Sequence, residues 1–402
     1  MENQDLKCPI CLDVSFEPLI RLRCGNFDES LLYDPATIVM CCNCGHVMNA
    51  LSYNDYQNIL SYYDGEYSIN NIESPNHTGD LPGSSNMNSL ARYSSLFDFI
   101  NRYISINDKI LDIGCATGGF LRFLNQRGYN NLYGIDCSKH YVDIALKLGS
   151  KNISFGLAEK TSFDNETFNI VFADQVLEHL FDPNIFFKEA KRILAPDGLL
   201  CISVPDAMLY ANTFFFDFYW FLMREHIQHF DMEHLTLIAV NNGFSVVDAI
   251  TTYSNMTSEK TLLPNLTILF KRNGKYNSLL TKSFNLRYKM HDYINHSKLE
   301  LEKKKKIINS LALSELQFDV FGISREFLYL YENTNLKNCA IISLFDDTPY
   351  KQKYMKIKGK KINSRNALKT SNDPIMITAV AHSDKIKISL RNDGFKREFI
   401  DL

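Results

Sequence analysis

The sequence has no apolar run long enough to cross a bilayer. Its most apolar stretch, Phe214 to Met223, is interrupted by Asp217 and reaches about half of the roughly 20 residues that a spanning helix needs. It also lacks an excess of either charge. Against 43 Lys and Arg stand 46 Asp and Glu, a formal net charge of -3, which creates no field to gather nucleic acid or an anionic membrane surface. The head up to Ala50 offers only Lys7, Arg21 and Arg23 as bases, too few for the phosphate contacts of an RNA-docking module. Met1 to Lys7 is polar, without the apolar core of a secretory leader, and no short-period repeat is present. These absences lead us to expect a cytoplasmic protein, with no membrane insertion and no nucleic-acid partner, acting on a small molecule. In a reducing compartment the ten cysteines are expected as thiols or metal ligands.

At 402 residues the chain exceeds what one core serves, and its composition falls into three regimes. A cysteine-bearing head ends near Tyr67. After Asn70 to Asn88, rich in Asn, Ser, Gly and Pro and read as a linker, apolar runs at Lys109 to Ile113, Leu132 to Ile135, Phe168 to Ala173 and Leu199 to Val204 alternate with helical periodicity. That alternation predicts a parallel sheet covered on both faces, with Ile268 to Phe270 as an antiparallel edge. Beyond Arg272 a helix is predicted over Tyr288 to Leu313, its Lys303 to Lys306 run read as a solvated face. Strand and helix character then repeats: Phe318 to Phe321, Glu326 to Asn333, Cys339 to Leu344 and Ile375 to Ala379. The expected division is 1-75, 85-272 and 273-402.

In the middle region, Leu111 to Phe120 (LDIGCATGGF) places Asp112, Gly114, Cys115 and Gly118 where a strand turns into a helix. Glycine allows the sharp turn and the close approach of a ligand, and free amide groups there favour an anionic end of that ligand. Asp136 closes the next strand about 20 residues on, where an acid grips a ribose diol. Ala116 stands where a dinucleotide fold wants glycine. In the head, Cys8-Pro-Ile-Cys11 and Cys41-Cys42-Asn43-Cys44 are two knuckles, each able to aim two thiolates at one tetrahedral ion. Cys8, Cys11, Cys41 and Cys44 are the expected ligands of a structural zinc, with Cys24 and Cys42 as spare thiols.

The run of residues resembles the class I S-adenosylmethionine-dependent methyltransferases: an acid and Gly-x-x-x-Gly after the first strand, then Ala158-Glu159, FNIVFADQVLEHL (Phe168 to Leu180) and ILAPDGLLCISVPD (Ile193 to Asp206). The resemblance implies an α/β, Rossmann-like fold, with Asp112, Gly114, Cys115, Gly118, Asp136, Ala158, Glu159 and Asp174 toward the cofactor. Phe168 to Leu180 would be the fourth strand and its following helix, with His179 read as packing ahead of catalysis. Head, middle and tail together resemble the sugar C-methyltransferases that act on nucleotide-linked keto-deoxysugars: a small N-terminal zinc-binding domain, the catalytic domain, and a small C-terminal α/β domain. The tail match includes Phe321-Gly322-Ile323-Ser324 and Asp346-Asp347-Thr348-Pro349-Tyr350-Lys351-Gln352, and Tyr62, Tyr63 and Tyr67 fall where that family has tyrosines near the acceptor. In this resemblance Glu225-His226 is the pair that removes a proton beside the sugar carbonyl, His226 as base and Glu225 as its orienting partner. The family's preceding Tyr-His is replaced here by Met223-Arg224, which keeps O- or N-methylation open. Two alternatives of other classes are an RNA-modifying methyltransferase with a zinc head and a non-catalytic scaffold.

Overall fold

The computed structural model describes residues 6–68, 81–212, 219–255, 262–273, 284–370 and 372–402. Half of the apolar run Phe214 to Met223 and most of the Asn70 to Asn88 segment lie outside them. Among the described residues no helix is long and apolar enough to cross a membrane.

The head contributes β1 (Phe16–Leu22), β2 (Ala36–Cys41) and β3 (Val47–Asn49), followed by α1 (Tyr53–Tyr62). A reciprocal cap starts α1: the Ser52 hydroxyl accepts from the Asp55 amide, and the Asp55 carboxylate accepts from the Ser52 amide. The middle region runs α2 (Met87–Ile100), β4 (Ile110–Ile113), α3 (Gly119–Asn125), β5 (Leu132–Asp136), α4 (Lys139–Lys147), β6 (Ile153–Phe155), β7 (Phe168–Asp174), α5 (Pro183–Ile193) and β8 (Leu194–Pro205). It continues with β9 (Gln228–His229), α6 (Met232–Asn241), β10 (Phe244–Asn255) and β11 (Leu262–Arg272).

Seven of these strands form one sheet in the order β10-β11-β8-β7-β4-β5-β6. β4 pairs in parallel with both β5 and β7, so the chain winds outward to β6 and then returns to the other side of β4. That reversal between β4 and β7 is the switch point where open α/β sheets bind ligands. β4 is buried at every position and β7 at all but Asn169 and Asp174, as expected of strands covered on both faces. α5 lays Phe186, Phe187, Ala190 and Ile193 against the sheet, a helical stripe; burying each phenylalanine contributes about 2–3 kcal/mol. β11 is antiparallel to its neighbours, as expected for Ile268 to Phe270, but it is not the edge. It lies between β8 and β10, where its buried stretch Leu263 to Phe270 is covered on both sides, and β10, exposed at Val246, Val247, Ile250 and Tyr253, takes the rim.

The tail begins with α7 (Asn285–Ser314), 30 residues and so about 45 Å long. Lys303 and Lys305 on it pair with Glu300 and Glu302. It leads to β12 (Phe318–Phe321), α8 (Arg325–Asn333), β13 (Ile341–Phe345), α9 (Pro349–Tyr354), β14 (Lys356–Ile357), β15 (Lys360–Asn363), β16 (Ile375–Ile377), α10 (Ser383–Asn392) and β17 (Phe399–Ile400). These strands form a third sheet, β14-β15-β13-β12-β16-β17, parallel except at β14.

The three sheets are bound together more tightly than three compositional regimes suggest. β9, from the middle region, completes the head sheet by pairing with β3, Val47 opposite His229 and Met48 opposite Gln228. Leu22, Ile38 and Met40 of the head share one core with Phe221 and Leu222, with Met290 of α7, and with Phe327 and Leu330 of α8. Asp28 also caps the β14–β15 turn by accepting from the Lys358 and Gly359 amides.

Candidate active site and cysteine cluster

The glycine turn follows β4 at the switch point. Gly114 and Gly118 have φ of +75° and +78°, a region open to glycine at no cost. Within the turn itself, the amide groups of Gly114 to Gly118 are taken up by the protein. Those of Gly114 and Cys115 donate to Ile135 O, that of Ala116 to Asp136 Oδ2 at 2.7 Å, that of Thr117 to Pro82 O and that of Gly118 to Cys115 O. The segment 81–84, at the end of the expected linker, closes directly on this turn. An added Cβ at Gly119 would stand 2.2 Å from Gly83 O, so glycine there serves a contact between two backbones.

Asp136 ends β5 with its carboxylate bridging the turn, Oδ2 to the Ala116 amide and Oδ1 to the Ser138 amide at 2.9 Å. A carboxylate has about four acceptor positions, so each oxygen keeps capacity for a diol hydroxyl. Burial pushes its pKa up to about 6. Asp112 is 5% exposed; burial and the nearby Asp174 hold its carboxyl well above the usual range. Asp174, at the end of β7, is paired 2.9 Å from Arg92 of α2. Arg92 was not singled out from the sequence, and it supplies a cation facing these acids. Beside it a cavity of about 130 Å³ is lined by Asn88, Arg92, Asp174, Ser203 and Thr252.

Two expected cofactor residues have partners within the protein. Cys115 turns its thiol inward among Leu121, Val142, Ala145 and Ile153, a core position, because the turn directs that side chain back under β5. Glu159 is engaged by the Tyr56 hydroxyl, and Tyr56 stacks on Phe181, so α1 of the head covers this end of the sheet. Ala158 is half-buried beside it.

After β7 there is no full helix at Phe168 to Leu180. A single 3-10 turn, Leu177–His179, contributes to a cluster instead. One donor atom each from Glu178, His179 and His226 lies within 4.8 Å of the others. The His179 Nδ1 is 2.8 Å from Glu225 O, and the His226 Nδ1 is 3.1 Å from Phe221 O. A carbonyl oxygen only accepts, so both Nδ1 atoms carry the proton and both Nε2 atoms keep the lone pair. The expected carboxylate–imidazole pair does not form: His226 is oriented by the Phe221 carbonyl, and Glu225 contacts His179 through its backbone. The Glu225 carboxyl lies toward Cys24, Tyr33 and Tyr63 instead.

Burial, with His179, His229 and Arg325 nearby, holds the His226 imidazole well below its usual pKa. Burial also pushes Glu178, 1% exposed, up to about 8. The walls come from all three regions. Tyr63 Oη lies 3.0 Å from His179 Nδ1, and its ring meets Tyr62 and Tyr67 edge-on or tilted. Trp220 stands edge-on to His226, and the Arg325 guanidinium of α8 lies 5.5 Å above the Trp220 ring. The tail's Asp346 to Gln352 stretch folds on itself: Asp346 Oδ2 accepts from Lys351 at 2.9 Å, and the Gln352 amide donates to Asp346 O.

In the head the Sγ atoms of Cys8 and Cys44 are 3.5 Å apart, as are those of Cys11 and Cys41, and all four lie within 4.8 Å of one another. A zinc ion with tetrahedral bonds of about 2.3 Å sets its sulfurs about 3.8 Å apart, so the four residues fit one. Cys24 and Cys42 lie outside the group. The cluster rests on the middle region rather than on a core of its own: His234 Nε2 lies 3.0 Å from Cys44 O, and Asn184 and Asn241 donate to Pro9 O and Ile10 O.

Residues 87–249 match the family model described as a methyltransferase domain. Over these residues the chain carries a methyltransferase domain, on a Rossmann-like α/β sheet. It is 31% identical to the uncharacterized methyltransferase C1B3.06c of Schizosaccharomyces pombe over 126 residues, 27% of this chain and 44% of that protein. It is 30% identical to a ubiquinone biosynthesis O-methyltransferase of Pelagibacter ubique over 112 residues, 27% of this chain and 46% of that protein. With the C-methyltransferase NovU of Streptomyces niveus the identity is 25% over 148 residues, 36% of this chain and 34% of that protein. The chain thus spans between a third and a half of the length of these relatives.

Proposed function

We propose that this protein transfers a methyl group from S-adenosylmethionine to a carbon of a nucleotide-activated keto-deoxysugar. The observation that carries the reading is the His226 imidazole, locked by Phe221 O with its Nε2 lone pair available, in a buried cluster beside the glycine turn. A proton on carbon beside a carbonyl needs such a base, whereas alignment alone serves many other methyl acceptors. When bound, the cofactor supplies a methyl group already activated by its sulfonium. Asp136 grips the ribose diol, Glu159 with Ala158 borders the adenine, and Asp112, Gly114, Gly118 and Asp174 shape the floor. His226 takes the proton at Nε2; the electron pair of the broken C–H bond stays on the acceptor, spread onto its carbonyl oxygen, and would form the new carbon–carbon bond to the methyl group as the methyl–sulfur bond breaks and its electron pair leaves with the sulfur. Burial, with His179, His229 and Arg325 nearby, keeps this imidazole neutral before the transfer, so that Nε2 is open to the proton. Arg325, Tyr63 and Tyr67 form the acceptor wall, and Cys8, Cys11, Cys41 and Cys44 hold a structural zinc. The similarity to NovU and the likeness of head and tail to sugar C-methyltransferases support the sugar assignment.

Single-turnover assays with His226→Asn test it. Loss of at least a hundredfold in the methyl-transfer step with unchanged cofactor affinity is expected; near-full activity would overturn the carbon reading. The second reading, O-methylation, is favoured by Met223-Arg224 and by the O-methyltransferase relatives. Arg224 is 6% exposed and tied to Gly25 O, Asn26 and Tyr33 O, so it holds the loop without offering acid–base chemistry.

A further inference from the structure

We propose that Glu178, His179 and His226 together bind one divalent transition-metal ion, a site separate from the four cysteines. Two imidazoles and one carboxylate form a donor set that suits zinc, iron(II), cobalt(II) or manganese(II). The atoms are already gathered: one donor from each residue lies within 4.8 Å of the others, and His179 Nε2 is 3.8 Å from Glu178 Oε1. Ligands of a tetrahedral ion with bonds of about 2.1 Å stand roughly 3.4 Å apart, so small side-chain adjustments close the set.

Two further features point to a cation. Each imidazole donates through Nδ1 to a backbone carbonyl, Glu225 O or Phe221 O, which is how metal-binding histidines are commonly oriented with Nε2 toward the ion. Glu178 is 1% exposed, and neither of its carboxylate oxygens has a hydrogen-bond partner among the described residues. Its position is imposed by the backbone, since Glu178 O accepts from the Ile227 amide at 2.6 Å. A buried carboxylate without a donor is costly, and an ion on its oxygens would offset that cost. His179, with a quarter of its side chain exposed, is the side from which an ion enters.

The ion site stands on this geometry alone; its effect on catalysis rests on the function proposed above. There, the Nε2 lone pair of His226 accepts the proton, and an ion bonded to that atom removes it. The loaded protein is therefore held inactive.

Cobalt(II) titration of the full-length protein tests the proposal, with stoichiometry by elemental analysis and binding followed by visible absorption. Two ions per chain are expected, one with the sulfur-to-metal charge-transfer band of thiolate ligation and one without it. Glu178→Gln and His179→Asn should each weaken the second ion about a hundredfold or more and leave the thiolate-bound one in place. His179 is partly exposed, so its variant decides the matter if Glu178→Gln does not fold. A single ion per wild-type chain, or a second ion retained in His179→Asn, overturns the site. Equal methyl-transfer rates with and without the second ion overturn its inhibitory role. Inactivity toward keto-sugar nucleotides in both forms, with two ions bound, speaks against the proposed function and leaves the site standing.

Discussion

Acidification should weaken cofactor binding through Asp136, by an amount that its environment sets. Burial raises this carboxyl from 3.8 to about 6, against the opposing pull of the Ala116 and Ser138 amides. In the free protein the protonated form therefore dominates below about pH 6. A ribose diol donates to the ionised form, so binding releases a proton and affinity is lost as pH falls through the raised value. With the group about 1% protonated at about pH 8 and about 90% at about pH 5, the apparent Kd should rise about tenfold between them, about 1.4 kcal/mol. Calorimetry with S-adenosylhomocysteine across this range measures it. Asp136→Asn should bind more weakly at pH 8 and show little slope. A wild-type Kd that is flat from pH 5 to 8, or a slope that persists in Asp136→Asn, would refute the reasoning.

Three other outcomes follow from the packing. Cys44→Ser should release the head ion and lower unfolding free energy by about 2 kcal/mol or more, because the cysteines lie in one core with Leu237 and Ile238 of α6; zinc content and thermal unfolding read both, and an unchanged Tm in zinc-free protein would contradict it. Arg224→Met should cost about 2–4 kcal/mol in urea unfolding by leaving Gly25 O and Tyr33 O without their buried donor; a loss under about 0.5 kcal/mol would show that the loop is held elsewhere. Tyr56→Phe should leave the fold intact and free Glu159 from its hydroxyl partner, changing cofactor Kd by less than about tenfold; a larger change would assign Tyr56 itself to the cofactor.

Features carried by local chemistry were legible in the sequence. The strands of the large sheet announced themselves as short apolar runs between turns, and the paired cysteine knuckles marked the four thiols that the fold gathers, with Cys24 and Cys42 left open as substitutes. Direction and long-range partnership were not legible. Cys115 sits in the right turn, yet nothing in the residue order says that its thiol faces the core. Glu225 and His226 are neighbours in the chain, yet nothing in the residue order says that the imidazole turns to Phe221 O rather than to the carboxylate beside it. His179 reads as packing until the fold brings it to His226, 47 residues later, and β9 is only two residues long, too short for any periodicity to reveal that it joins the head sheet.

Carbon methylation is the claim on which the account turns, and the bond made to the labelled methyl group tests it most directly. Purified protein should be incubated with [methyl-13C]S-adenosylmethionine and nucleotide-linked keto-deoxysugars, and the product examined by carbon NMR. A labelled methyl carbon in the alkyl region, coupled to a ring carbon of the sugar, is expected. Label found only as a methoxy or N-methyl signal would contradict it.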